Sequence, residues 1–321
     1  MKILVTGAAG FIGFSFINEL VNNKKFKIIG IDNLDKYYSI KLKKQRIKIL
    51  KKNKNFIFRK IDITQDYILK NFLVKKKFDL IFHFAAQAGV RYVAVNPKKY
   101  LNDNILGFFN ILKIVLLIKP KKFFYASSSS VYGDTSEFPT TEFTKLMPKN
   151  IYGLTKKFNE EMIDLYSSNI KTKFIGLRFF TVYGEWGRPD MLLIKFMLAS
   201  LKKKIFKIHN YGHHIRDFTY VGDVVSVLKK LIYKQQSAKH ITLNVCSSKP
   251  ISLKFVIEKL KKLTNFNIVK KVSAQKIEVF KTFGSNKELL RIIGNFKFCS
   301  FDEGLKKTYL WFINNKKYLI N

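Results

Sequence analysis

Three glycines at spacing three, in Thr6-Gly7-Ala8-Ala9-Gly10-Phe11-Ile12-Gly13, constrain this chain more than any other feature it carries. They follow a short apolar segment at 2–6 and open directly into an amphipathic pattern over 11–21. Strand, glycine turn and helix in that order form a cradle in which the backbone approaches a pyrophosphate and the helix N-terminus faces its charge. Gly7, Gly10, Phe11, Ile12 and Gly13 build the cradle, and Asp32 answers it from the end of the next apolar segment. A carboxylate there accepts hydrogen bonds from a ribose diol and repels a 2′-phosphate, so the expected cofactor is NAD rather than NADP.

The rest of the first half repeats the same alternation. Apolar segments at 2–6, 27–31, 56–61, 80–83, 123–126 and 174–177 read as strands, and stretches such as 11–21 and 100–118 between them have helical spacing. This predicts an α/β fold with a doubly wound (Rossmann) parallel sheet and right-handed crossovers. Residues 41–54 read as a strongly basic surface helix. Beyond about 180 the rhythm shifts to loops punctuated by Gly and Pro. Strands are expected at 205–209, 217–220 and 241–245, and helices at 224–233, 252–263 and 302–312. The expected organisation is an NAD-binding domain over 1–180, with later strands returning to it around 210–245. A smaller C-terminal substrate-binding α/β region over 181–321 is interleaved with it.

Charge matters for what it excludes. With 60 Lys+Arg against 22 Asp+Glu the formal net charge is +38, yet the lysines are spread along all 321 residues. Lys, Ile, Asn and Phe are abundant together, as codon bias in an AT-rich genome produces, so no specific nucleic-acid partner is expected. Non-specific, salt-sensitive attraction to polyanions and steering of an anionic substrate do follow. Lys interrupts the apolar runs, the N-terminus lacks a signal-like apolar region, and Cys246 and Cys299 are far apart. The expectation is a cytoplasmic protein with no membrane contact. His83, His209, His213 and His214 lack the companion ligands of a metal site, and no metal is expected.

The chemistry is expected where the fifth strand ends, at Ala126-Ser127-Ser128-Ser129-Ser130-Val131-Tyr132-Gly133, and at Tyr152-Gly153-Leu154-Thr155-Lys156, which leads a helix to about 167. Spacing i, i+4 puts the phenol and the ammonium on one helix face. The ammonium and a positively charged nicotinamide would lower the phenol's pKa and make Tyr152 a base, with Lys156 holding the nicotinamide ribose and Ser128 bridging to the reacting oxygen. The other Tyr-x-x-x-Lys pair, Tyr37/Lys41, has no such setting and reads as surface helix. Asp62 and Ile63 are placed to flank the adenine, Ala85 and Ala86 to lie against the cofactor, and Asn104 to bond the neighbouring backbone. Arginine is scarce, with seven in the chain, and Arg91, Arg178, Arg188 and Arg216 fall in or beside these motifs. That favours a planar, bidentate role for them, although Arg178, inside a strand, is equally suited to pairing with a buried carboxylate.

The glycine turn, the serine strand end, Tyr152/Lys156 and Leu177-Arg178-Phe179-Phe180-Thr181-Val182-Tyr183-Gly184 resemble the extended short-chain dehydrogenase/reductase family of nucleotide-sugar enzymes, over residues 1 to about 250. Five stretches look closest to its UDP-glucuronate 4-epimerase (CapI-like) branch. They are Asp32-Asn33-Leu34 with Tyr37-Tyr38, Ala85-Ala86-Gln87-Ala88-Gly89-Val90-Arg91-Tyr92, Tyr125-Ala126 with the four serines, Trp186-Gly187-Arg188-Pro189-Asp190-Met191, and Arg216-Asp217-Phe218-Thr219-Tyr220-Val221. The resemblance implies oxidation and re-reduction of a UDP-sugar at C4 through a transient 4-keto sugar, with Asn33 joining the cofactor contacts. It implies Gln87, Ser127, Ser128, Ser129 and Thr181 as neutral contacts to the sugar, Arg91 or Arg188 as added charge, and Arg216 against the diphosphate. It also implies a homodimer packed through the helices at 100–118 and 152–167.

Family dehydratases and decarboxylases carry acids just after the strand-five hydroxyl, where this chain has Ser129 and Ser130. Epimerisation of UDP-glucose or UDP-N-acetylglucosamine, and decarboxylation of UDP-glucuronate, stay as alternatives. A departure lies at Gln275-Lys276-Ile277-Glu278, where the family usually shows Gly-Asp-Val.

Overall fold

The computed structural model describes residues 1–168, 170–274 and 277–320. In chain order the strands are β1 (Lys2–Thr6), β2 (Lys27–Asp32), β3 (Phe56–Lys60), β4 (Leu80–His83), β5 (Lys122–Ser128), β6 (Lys173–Phe179), β7 (Thr181–Tyr183), β8 (Phe206–His209), β9 (Ile215–Tyr220), β10 (His240–Val245), β11 (Pro250–Ser252) and β12 (Val269–Val272). The helices are α1 (Phe11–Leu20), α2 (Ile40–Leu50), α3 (Asp66–Leu73), α4 (Pro97–Leu101), α5 (Gly107–Ile118), α6 (Ile151–Ser167), α7 (Leu192–Leu201), α8 (Val221–Tyr233), α9 (Leu253–Thr264), α10 (Lys287–Ile293) and α11 (Phe301–Asn315).

Strands such as KILVT, KIIGID and LIFH are nearly unbroken apolar runs because both of their faces are covered. They build a seven-stranded sheet in the order β10-β6-β5-β4-β1-β2-β3, with every pairing parallel. On one face Phe14, Phe16 and Ile17 of α1 pack with Val224, Val227 and Leu228 of α8; on the other, Phe108, Ile111 and Val115 of α5 pack with Ile163 of α6. At roughly 25 cal/mol per Å² of apolar area removed from water, these two layers are the main source of stability. The strand order reverses direction between β1 and β4, which opens a crevice at their C-terminal ends.

Of the later strands expected to return to this sheet, β10 does. β9 instead joins β7 and β11 in a three-stranded sheet, and β8 pairs with β12. β9 carries Arg216, Asp217 and Thr219 among its six residues, and Asp217 and Thr219 are fully buried there. Around these small sheets a third apolar cluster, including Phe196, Phe206, Leu260 and Phe312, forms the core of the C-terminal region.

The helix expected at 100–118 begins at 97. There α4, a π-helical turn (Asn102–Leu106) and α5 form one 22-residue run that is long and apolar enough to cross a membrane by length and composition. Its place is against the sheet, where Ile111, Leu112 and Val115 are fully buried. Asn104 and Asn110 both hydrogen-bond within the fold.

Candidate active site

The crevice at the strand reversal is a cavity of about 250 Å³. Its floor is the glycine turn, set by steric need. Gly7 has φ +71°, and a Cβ on it would lie 2.7 Å from the Ala85 amide nitrogen. A Cβ on Gly13 would lie 2.2 Å from the Gly7 carbonyl oxygen. α1 starts at Gly10 with no acidic residue in its first turn, which leaves its positive end facing the cavity. Gly7, Gly10, Phe11, Ile12, Gly13, Asp32, Asn33, Asp62, Ile63, Ala85 and Ala86 all line this one cavity. Asp32 accepts hydrogen bonds from Ala9 N at 3.0 Å and Leu34 N at 2.8 Å, and burial raises its pKa against the pull of Lys43. Asn33 donates to Asp62 at 2.9 Å, which ties the ends of β2 and β3 together. A glycine cradle answered by an oriented carboxylate fits NAD.

The helix read as basic surface has two inward cations. Lys43 lines the cavity, donates to Asp35 O at 2.7 Å and lies 4.4 Å from the Tyr38 ring centre. Arg46 is fully buried and donates to Ala9 O at 2.7 Å, to Tyr38 at 2.8 Å and to Trp186 O. Tyr37, read as surface, also lines the cavity, and its hydroxyl donates to Asp190 at 3.0 Å. Tyr37 has a signal in its place within the Asp32–Tyr38 motif, whereas Lys43 and Arg46, in a lysine-rich stretch, have none.

The catalytic pair is delivered by α6, whose N-cap Asn150 accepts from Gly153 N at 2.9 Å. Tyr152 and Lys156 both line the cavity. Burial raises the Tyr152 pKa, and a hydrogen bond with Ser128 and the charge of Arg188 pull it back down. The expected lowering by Lys156 is absent from that balance. Its ammonium donates to Ala126 O at 2.8 Å and sits 5.9 Å from the Tyr152 ring centre. Burial lowers Lys156 to about 8, and Glu160 acts against that shift.

Around the reacting end the expected contacts divide. Gln87, Ser127, Ser128 and Arg188 line the cavity. The Ser127 hydroxyl donates to Glu160. Asn104 stands behind the wall, with Oδ1 accepting from Gln87 N and Nδ2 donating to Gln87 O and Thr155. Arg188 is held by Asp190 through Nε at 3.0 Å and through Nη2 at 2.7 Å. Thr181 lines a small adjoining cavity that shares Phe11, Val182 and Met191 with the large one. Ser129 starts a short 3₁₀ turn outside the lining. Arg216 also lies outside it, donating to the carbonyls of Ile215, Val279 and Phe280. The Arg91 side chain, Gln275 and Lys276 lie outside the described residues. Among the described residues no His/Cys/Asp/Glu cluster has the makings of a metal site. Arg178 pairs with Glu160 inside the protein, the carboxylate alternative raised for it.

Known proteins share this arrangement along the whole chain. The family model for the NAD dependent epimerase/dehydratase family matches residues 3–246. Protein CapI of Staphylococcus aureus is 34% identical over 335 residues, 99% of this chain and 100% of that protein. UDP-glucuronate 4-epimerase 4 of Arabidopsis thaliana is 41% identical over 230 residues, 70% of this chain and 52% of the plant protein. Among solved structures, UDP-glucuronic acid 4-epimerase from Bacillus cereus in complex with UDP-glucuronic acid and NAD superimposes with a TM-score of 0.90. It is 28% identical and covers 98% of this chain and 99% of its own. With its glycine cradle, Asp32 and the Tyr152/Lys156 pair in one cavity, the chain belongs to the NAD dependent epimerase/dehydratase family.

Proposed function

We propose that this enzyme interconverts UDP-glucuronate and UDP-galacturonate by NAD-dependent epimerisation at C4. The observation that carries the reading is that Tyr152, Ser128 and Lys156 line one cavity, with Ser129 and Ser130 next in the chain after Ser128. The family resemblance implies acids at those positions in dehydratases and decarboxylases, and this chain has serines there. Bound NAD supplies the hydride acceptor and donor at C4. Tyr152 takes the proton from the C4 hydroxyl and later returns it, and Ser128 holds the C4 oxygen and the phenol in one hydrogen-bonded line. Lys156, its ammonium fixed by Ala126 O, is placed to hold the nicotinamide ribose. Arg188, positioned by Asp190, brings positive charge to the wall where a uronic acid carboxylate is to be held. The relatives named for UDP-glucuronate support this choice of sugar. A cytoplasmic location is part of the same reading, supported by two free cysteines.

Incubation with UDP-glucuronic acid, resolved by chromatography, is expected to yield UDP-galacturonic acid and no UDP-pentose. Turnover of UDP-glucose or its N-acetyl derivative alone would remove the carboxylate from the reading. Release of CO₂ with a UDP-pentose would overturn the role given to Ser129 and Ser130.

A homodimer through the 97–118 run and α6 also belongs to this reading. These elements lie side by side and leave Leu106, Leu154, Phe158 and Leu165 exposed, Leu165 to 78%. That much apolar side chain on neighbouring helices suits a self-complementary interface. Light scattering should give a mass of twice 37.6 kDa, and Leu154→Glu with Phe158→Glu should halve it. A monomeric wild type at micromolar concentration would remove the interface.

A further inference from the structure

Glu160 sits one helical turn beyond Lys156, outside every motif that the chemistry above uses. Two successive turns of α6 grasp two successive residues of β5. Lys156 donates to Ala126 O at 2.8 Å, and the Glu160 carboxylate accepts from the Ser127 hydroxyl. Arg178, directly opposite Ser127 in the β5–β6 register, clamps that carboxylate from below. Its Nε donates to one oxygen at 3.0 Å and its Nη2 to the other at 2.7 Å. The guanidinium is completed by Tyr132 and Glu142 O, both at 2.9 Å, and Tyr132 in turn donates to Asn244 of β10 at 2.6 Å. Ser127, Glu160 and Arg178 are all buried, so the geometry is screened little by water.

We propose that Glu160 is a positioning residue for the reaction: it fixes Ser127, and with it the turn bearing Ser128, against the catalytic helix, and it is the counter-charge of Lys156. The inference rests on the catalytic roles assigned to Tyr152, Lys156 and Ser128, but not on which sugar is used. Glu160 is the group acting to hold up the Lys156 pKa against burial. The other charged or titratable groups around that ammonium are few. His83 on β4 is kept neutral by burial, with a pKa lowered to about 3. Tyr152 is one turn back on α6. Arg178 reaches from β6 to the far side of Glu160, Arg188 lines the cavity from its loop, and Asp103 in the π-helical turn is paired with Lys99. Removing the negative charge therefore leaves Lys156 to lose its proton at lower pH.

Two readouts test this on the full chain. The first is acylation of Lys156 by a small amine reagent across pH, quantified by mass spectrometry, which requires no turnover. The second is the pH profile of kcat. Glu160→Gln should move the labelling midpoint, and the alkaline limb of kcat with it, down by about one pH unit, while KM changes less than about two-fold. Glu160→Asp, which keeps the charge but is too short for Ser127, should leave the midpoint in place and lower kcat roughly five-fold or more. Ser127→Ala should do the same. Glu160→Gln also strands Arg178, so Glu160→Gln with Arg178→Met is the variant to use if the single one does not fold, with a smaller shift in the same direction. A wild-type midpoint in a folded charge variant overturns the counter-charge role. Wild-type kcat in Ser127→Ala overturns the positioning role. If UDP-glucuronate is not the sugar, turnover of that compound is missing in every variant while the labelling midpoint still moves.

Discussion

Tyr152→Phe is expected to lower kcat for sugar epimerisation by roughly 10³-fold while the protein keeps its fold and its NAD. The substitution is nearly silent in packing. The Tyr152 ring meets Tyr100 edge-on at 6.3 Å between ring centres, and phenylalanine preserves that contact. What is lost is one hydroxyl, the hydrogen bond it can make and the site that takes the C4 proton. A single hydrogen bond of this kind is worth about 1 kcal/mol of stability, so the melting temperature should move by a few degrees at most. The two effects separate cleanly. UDP-sugar affinity measured by calorimetry and NAD content after denaturation should match wild type, and the rate alone should collapse. Retention of more than about a tenth of the wild-type rate would mean that another group takes the proton and that Tyr152 only orients the sugar.

Burial changes how that prediction is argued. A close Lys156 ammonium is the simple way for a tyrosine to become a base, yet here Lys156 donates to Ala126 O and burial raises the phenol. The local spacing of Tyr152 and Lys156 is legible in the chain because an α-helix converts i, i+4 into proximity without outside help. The glycine turn is legible for the same reason, since its geometry is local. Direction in three dimensions is not. Ser127 and Ser128 are neighbours at one strand end and both line the cavity, yet the Ser127 hydroxyl turns to a Glu160 whose place depends on Arg178. Lys43 and Arg46 look like any other cations in a stretch crowded with them. Their burial depends on carbonyls of Asp35, Ala9 and Trp186, the last of which is 140 residues away. Arg216 shows the same dependence on distant chain: its motif is intact, and its guanidinium donates to the backbone of 279–280. The membrane-length run at 97–118 shows the converse, because apolar composition cannot tell a lipid from the underside of a parallel sheet.

Gly13→Ala is expected to strip the protein of NAD and to cost on the order of 3 kcal/mol of stability. The added methyl would lie 2.2 Å from the Gly7 carbonyl oxygen, 3.0 Å from the Gly7 carbonyl carbon and 3.4 Å from the Ala8 Cα, all of them backbone. No side chain is available to swing aside. Nor can the turn retreat, because Gly7 already lies against the Ala85 backbone, and Gly10 N donates to the same Gly7 oxygen at 2.9 Å. Relief has to come from moving α1 away from β1, and that withdraws the helix N-terminus from the pyrophosphate position. It also strains Ala9, whose amide holds Asp32 and whose carbonyl holds Arg46. Cofactor grip and fold should therefore fail together, read as nucleotide released on denaturation and as the melting temperature. Gly294→Ala supplies the contrast: its φ of +81° makes alanine unfavourable, but nothing lies within 4 Å of the new methyl. That change should cost about 1–3 kcal/mol through backbone strain alone and leave NAD content untouched. Wild-type NAD content in Gly13→Ala would show that the turn yields where its contacts say it cannot, and the cradle would no longer account for cofactor binding.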